Sequence, residues 1–162
     1  VLTQIDTKLF LGFAPMIAHG EGVNVVRLGR DGSVVAETDA TVLDILRREL
    51  GDDVDVVPCG GTGDVRFQQR EQWTDGANAV CLGPGRILLY SRNVRTARTL
   101  QEEHGFQAVG LSVHTPASTR ADLLALARGK DRVVYTFDGS ELSRARGGAR
   151  CMTMPLLRGP LP

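Results

Sequence analysis

Apolar and polar positions alternate along this chain in short bursts, and most bursts are closed by a residue that ends regular structure. Residues Leu9 to Val35 carry short apolar runs broken by glycine and by Asp31-Gly32. The stretch VNVVRLGRDGSVVAE predicts two strands folded back at Asp31-Gly32, because an Asp-Gly pair readily supplies the positive φ of a tight hairpin. TDATVLDILRRELG then switches to helical spacing. Val42, Leu43, Leu46 and Leu50 fall on one face, Thr38 or Asp39 is the expected N-cap, and Gly51 closes the helix. VDVVPCGG reads as a buried strand entering a glycine turn, and NAVCLGPGRILLYS as two strands about the turn from Gly83 to Gly85. VRTARTLQEEHG is a helix stopped by Gly105, and FQAVGLSV is another strand. TPASTRADLLALARGKD holds a short helix capped by Ser118 or Thr119, and RVVYTF is the last strand. Strand, strand, helix, strand thus occurs twice, which predicts a repeated ββαβ unit of about 60 residues and a mixed α/β (α+β) fold.

Length and charge narrow the class. A chain of 162 residues is long enough for one domain with its own core. Its 19 basic and 19 acidic residues cancel, so the balance argues against nucleic acid or an anionic membrane as partner. The longest apolar runs, such as FLGFAPMIA, fall far short of the ~20 residues that a membrane-spanning helix needs. No basic region precedes an apolar one as in a secretory leader, and the expected location is the cytoplasm. Cys59, Cys81 and Cys151 are odd in number and lack CxxC spacing, which argues against a disulfide framework and a zinc site. The chain opens at VLTQIDT without an initiator Met, as a segment of something longer would.

Chemistry concentrates near the end, in SELSRARGGARCMTMPLLR (Ser140 to Arg158). A nucleophilic cysteine needs an ionisable thiol near positive charge, on a backbone that lets a ligand approach. Arg144, Arg146 and Arg150 supply the charge, and Gly147-Gly148 the close approach. The plainer reading is a structural thiol on a loop. Cys59 and Cys81 lie in apolar strand contexts and read as inert core thiols. EQWTDGAN reads as a structural turn with Trp73 in the core, His104 as a solvated cation at a helix end, and His114 as unassigned.

The stretch GSELSRARGGARCMTMPLLR closely resembles the C-terminal signature of arginine deiminases, whose glycine-rich, arginine-bearing loop delivers a nucleophilic cysteine. REQWTDGANAVCLGPGRILLYSRNVRTARTL (Arg70 to Leu100), CGGTGD before it, and the opening QIDTKLF, at the place of the family's His-x-Asp-Thr, are similar to that family as well. The resemblance covers essentially the whole chain, residues 1–162, as the C-terminal portion of the catalytic domain, and leaves an N-terminal half outside it. It implies a pentein fold, an α/β propeller of ββαβ modules about a pseudo-fivefold axis, of which this chain would form about half.

The resemblance also implies a reaction: L-arginine and water giving L-citrulline and ammonia through a thiouronium intermediate on cysteine, with no cofactor and no metal. It places Cys151 on the nucleophile, Asp6 on a guanidinium-binding aspartate, and Arg146 on the arginine that engages the substrate carboxylate. Asp6 read alone would cap or solvate a strand end, and Arg146 read alone would pair with Asp138 or Glu141. Gln4 stands at the position of the family's catalytic histidine. Glutamine forms hydrogen bonds but does not shuttle protons near neutral pH; His19 is the nearby alternative base. The stretch Thr115 to Asp131 reads as an insertion without obvious chemistry. The implied partners are a small guanidinium substrate, the missing N-terminal half in cis or as a separate chain, and further copies in an oligomer. Two other readings stay open: a pentein half-domain that binds ligands or a partner without turnover, and an amidinotransferase-like enzyme that shares the thiouronium chemistry.

Overall fold

The computed structural model describes residues 1–112, 114, 116–145, 147–154 and 156–157, without the side chains of residues 126, 127, 143 and 145. In chain order the first elements are β1 (Leu2–Gln4), β2 (Leu9–Gly12), α1 (Ala14–Ile17), β3 (Val25–Leu28), β4 (Val34–Glu37), α2 (Val42–Leu50) and β5 (Asp55–Pro58). Then follow α3 (Val65–Trp73), β6 (Val80–Gly83), β7 (Arg86–Tyr90), α4 (Val94–His104), β8 (Gln107–Leu111), α5 (Ala117–Ala127) and β9 (Val133–Phe137). Two 3₁₀ turns, Leu142–Ala145 and Arg150–Met152, close the described chain.

The most apolar strands become inner strands. β2 is buried at every position, between antiparallel β1 and parallel β5; a strand covered on both faces has no use for polar alternation. In the second sheet the order is β6-β7-β9-β8, with β6 antiparallel to β7 and both β7 and β8 parallel to β9. One core joins the two sheets: Ile5, Leu9 and Leu11 pack with Val57, Ile87, Leu89, Leu100 and Val134. Two antiparallel-then-parallel units are therefore present, β1-β2-α2-β5 and β6-β7-α4-β9, starting at Leu2 and Val80.

This differs in composition from the expected repeat. The hairpin about Asp31-Gly32 forms, but as the separate two-stranded ribbon β3–β4. Six of its eight ladder positions, all but Val25 and Glu37, are exposed, Leu28 at 74% and Val34 at 67%. Its place in the first unit is taken by β1 and β2. Likewise β9, rather than β8, lies beside β7. No closed barrel or propeller is formed by the strands among the described residues.

Local signals explain most boundaries, and three need correction. α2 is capped by Thr41, not by Thr38 or Asp39. Asp44 lies three residues on and completes a reciprocal capping box: Asp44 N–H donates to Thr41 Oγ1 at 3.1 Å, and Thr41 N–H donates to Asp44 Oδ2 at 2.8 Å. α5 begins after Pro116 without a side-chain cap, so Ser118 and Thr119 lie inside the helix. α3 occupies part of the segment expected to be a turn. It buries Gln68 and Glu71 and leaves Trp73 66% exposed, since two residues along a helix turn the side chain to the other side. α4 ends as expected, at Gly105 with φ +70°.

Candidate active site

The loop carrying Cys151 is held by two side chains distant in sequence. Tyr90, the last residue of β7, is buried, and its hydroxyl donates to the carbonyl of Gly147 at 2.9 Å. Burial pushes its phenol up from the ordinary value, with smaller contributions from Asp75 and Cys151. Asn78 acts twice. Its carbonyl accepts from Arg150 N–H at 3.4 Å, and its Nδ2 donates to Cys151 Sγ at 2.8 Å. Gly148 makes the approach possible: a Cβ there would sit 2.3 Å from both Cβ and Cγ of Asn78. Any side chain at 148 would push the loop off Asn78.

Asn78 is itself fixed from below. Its N–H donates to the carbonyl of Asp75 at 3.0 Å, and Thr3 Oγ1 donates to the neighbouring carbonyl of Ala77 at 2.7 Å. Asp75 takes up φ +64°, a left-handed conformation that aspartate tolerates better than most residues. Its Oδ2 is buried without a hydrogen-bond partner among the described residues.

The three cysteines occupy three environments. Cys59 is fully buried, and its Sγ meets Gln72 Oε1 at 3.5 Å. Burial, helped by the charge of Glu71, pushes this thiol up to about 12. Cys81, expected in the core, is exposed because β6 is an edge strand whose middle residues face outward. Its Sγ lies 3.2 Å from the carbonyl of Gly83, which can only accept, so this contact uses the protonated thiol as donor. Cys151 is exposed and receives a hydrogen bond from an amide N–H, a role that thiolate sulfur can fill.

A depression of about 340 Å³ beside Cys151 is lined by Leu2, Thr3, Asn78, Arg150 and Thr153. It shares Thr3, Arg150 and Thr153 with a neighbouring depression of about 710 Å³ that contains Gln4 and Cys81. Gln4 and Cys151 thus open onto one surface. Gln4 is exposed, and its Nε2 donates to the carbonyl of Thr7 at 3.2 Å. Asp6 faces elsewhere. Its Oδ1 accepts from Thr7 N–H at 2.8 Å and its Oδ2 from Arg132 Nε at 2.9 Å. It lines a separate depression with Pro84, Arg86, His104 and Arg132. Arg146 lies outside the described residues. His19 lines a groove against β3, β4 and Thr41, apart from the Cys151 surface. Among the described residues no group of three or more His, Cys, Asp or Glu side chains is placed to hold a metal ion.

Asn78 and Tyr90 escaped the sequence reading. Each sits in an ordinary turn or strand, and only the fold brings them to the C-terminal loop.

Comparison with known proteins agrees along the chain. A family model described as arginine deiminase matches residues 1–158. Among curated relatives, arginine deiminase of Borrelia duttonii (strain Ly) is 36% identical over 162 residues, covering 98% of this chain and 32% of the relative. Those of Clostridium perfringens (strain SM101 / Type A) and Mycoplasma capricolum are 32% and 34% identical, each over 99% of this chain. The chain spans about a third of the length of these relatives.

Proposed function

Because the chain belongs to the arginine deiminase family, we propose that it supplies the nucleophile-bearing part of an enzyme that hydrolyses L-arginine to L-citrulline and ammonia. The observation that carries this reading is the contrast between the thiols. Cys151 alone combines exposure, a donor aimed at sulfur and a glycine-built approach beside it.

The chemistry runs in two displacements. The Cys151 thiolate attacks the guanidinium carbon, a C–S bond forms, and the C–N bond to a terminal nitrogen breaks. That nitrogen leaves as ammonia after taking a proton, and a thiouronium remains on Sγ. Water then attacks the same carbon and gives up both its protons, the C–S bond breaks, and citrulline leaves with the thiolate restored. Arg150, on the rim of both depressions, provides positive potential beside the sulfur. In this reading Arg146 binds the substrate carboxylate through paired hydrogen bonds.

In this reading Asp6 holds the guanidinium in plane only after it leaves the separate depression it now lines and turns to the Cys151 surface. Its present bond from Arg132 Nε supports the capacity of this carboxylate for a guanidinium, and also means that substrate would compete with Arg132 for Oδ2. The remaining carboxylates, and closure of the two units into a pentein propeller, are assigned to segments that the longer relatives carry. On this view the chain needs those segments, in cis or as a separate chain, for turnover.

Gln4 favours a second reading, a ligand-binding family member that has lost hydrolysis, because it offers no proton acceptor to the attacking water. The two readings separate in one experiment on the complete protein. Under the hydrolase reading, acid quench after arginine addition traps a covalent adduct on Cys151, since loss of a general base costs about 10²–10⁴-fold in the step that needs it. Gln4→His then speeds citrulline release and lowers adduct occupancy, and Cys151→Ser abolishes both. Absence of adduct and of citrulline under all conditions leaves only the binding reading.

A further inference from the structure

A second concave site lies on the other side of the Thr74–Asn93 contact, between α3 and α4. It is a cleft of about 420 Å³, within the range of small-molecule pockets. Four arginines line it: Arg70 from α3, Arg92 ahead of α4, and Arg95 and Arg98 from α4. The helix periodicity accounts for their convergence. Phe67 and Arg70 are three apart on one face of α3, and Arg95 and Arg98 are three apart on the facing side of α4. The one carboxylate in the lining is Glu71, and it is already engaged. Its Oε1 accepts from Arg95 N–H at 2.8 Å, and its Oε2 accepts from Thr96 N–H at 2.9 Å and Thr96 Oγ1 at 2.7 Å. Glu71 is thus a buried cap for the start of α4. Arg70, Arg95 and Arg98 form no ion pair among the described residues. Arg95 instead places its guanidinium carbon over the Phe67 ring, 3.5 Å from the centroid, which helps hold its planar fork in place.

Neighbouring like charges repel, and no ion pair of Arg70, Arg95 or Arg98 offsets this among the described residues. An anion with several oxygens removes the repulsion and matches the guanidinium forks. We propose that this cleft binds a phosphate-bearing ligand, its oxygens held by Arg70, Arg95 and Arg98, with Arg92 at the rim. The site is separate from the Cys151 surface, shares none of its lining residues, and stands whether or not the protein hydrolyses arginine.

The test is direct binding to the complete protein by calorimetry, with inorganic phosphate, AMP and citrate as three separate probes. Saturable 1:1 binding of phosphate or AMP, weakening as salt rises, is expected. Tighter binding of AMP assigns the source to a nucleotide, and equal binding assigns it to free phosphate. The double variant Arg70→Ala/Arg98→Ala should weaken binding at least about tenfold per arginine removed. Both side chains are exposed, and circular dichroism and the melting temperature verify that the fold is kept. Arg95→Lys, which keeps the charge and loses the fork, should also weaken binding, whereas Arg66→Ala, at an arginine that pairs with Asp64 outside the cleft, should not. Absence of saturable binding, citrate binding as tightly as AMP and phosphate, or unchanged affinity in the double variant would each overturn the proposal.

Discussion

At the scale of single residues, the position of the Cys151 sulfur rests on Asn78. A hydrogen bond to a charged acceptor is worth about 1.5–3 kcal/mol, so Asn78→Ala should slow alkylation of Cys151 by iodoacetamide about ten- to hundredfold. In the complete enzyme kcat should fall with it while KM changes little, because Asn78 faces sulfur rather than substrate. Asn78→Asp, which turns an acceptor toward sulfur, should be slower still. Wild-type labelling rates in both variants would remove Asn78 from the argument. Cys151 stands out in the sequence as a candidate because the arginines and glycines that mark it are its chain neighbours. Asn78 was not, since its partner is 73 residues away and no local pattern encodes such a contact. Trp73 and Cys81 misled for a related reason: apolar character alone does not say which face of a helix or which strand of a sheet is covered.

At the scale of elements, α2 shows how far local signals reach. Its apolar face and the glycine at its end were readable, and its capping box is a Thr-x-x-Asp variant formed by Thr41 and Asp44. Hydrogen bonds from Thr41 hold the Asp44 carboxyl below its ordinary value, and those from Arg48 and Arg27 do the same for Glu37. Both are depressed carboxylates, so the stability they confer is present above the ordinary carboxylate range and is lost as pH falls through their lowered values. Acid titration followed by circular dichroism should therefore melt α2 and the β3–β4 ribbon early, before the core sheets. Thr41→Ala should cost about 1 kcal/mol at neutral pH and shift the urea midpoint down accordingly. An unchanged midpoint would show that α2 is held by packing alone. α3 was illegible because its inward face is polar. Gln68 donates to the carbonyl of Gly61 at 2.9 Å and Glu71 caps α4, so the hydrophobic period that announces a helix is missing.

At the scale of the whole molecule, two sheets share one core, yet apolar side chains are displayed at its edges. Met154, Leu156 and Leu157 are 77%, 86% and 92% exposed, and Leu28 and Val34 protrude from the ribbon. Surfaces of this kind fit a chain that spans a third of its relatives' length. Composition and pattern sufficed for the mixed α/β class, whereas the sheet orders required long-range pairing between β2 and β5 and between β7 and β9, which no window of sequence contains. The sealed thiol of Cys59 follows from that pairing and has a practical use. Its ordinary value is 9.0 and its folded value about 12, so the folded state gains from it fully below 9, and that gain fades as pH climbs between the two. At pH 8, a disulfide reagent should find Cys81 and Cys151 at once and reach Cys59 only in the moments when the core is apart. Adding urea below the unfolding midpoint should hasten that slow reaction and leave the fast ones unchanged. The protein carries a chemical stopwatch in its interior, and one absorbance trace reads how often the two sheets let go of each other.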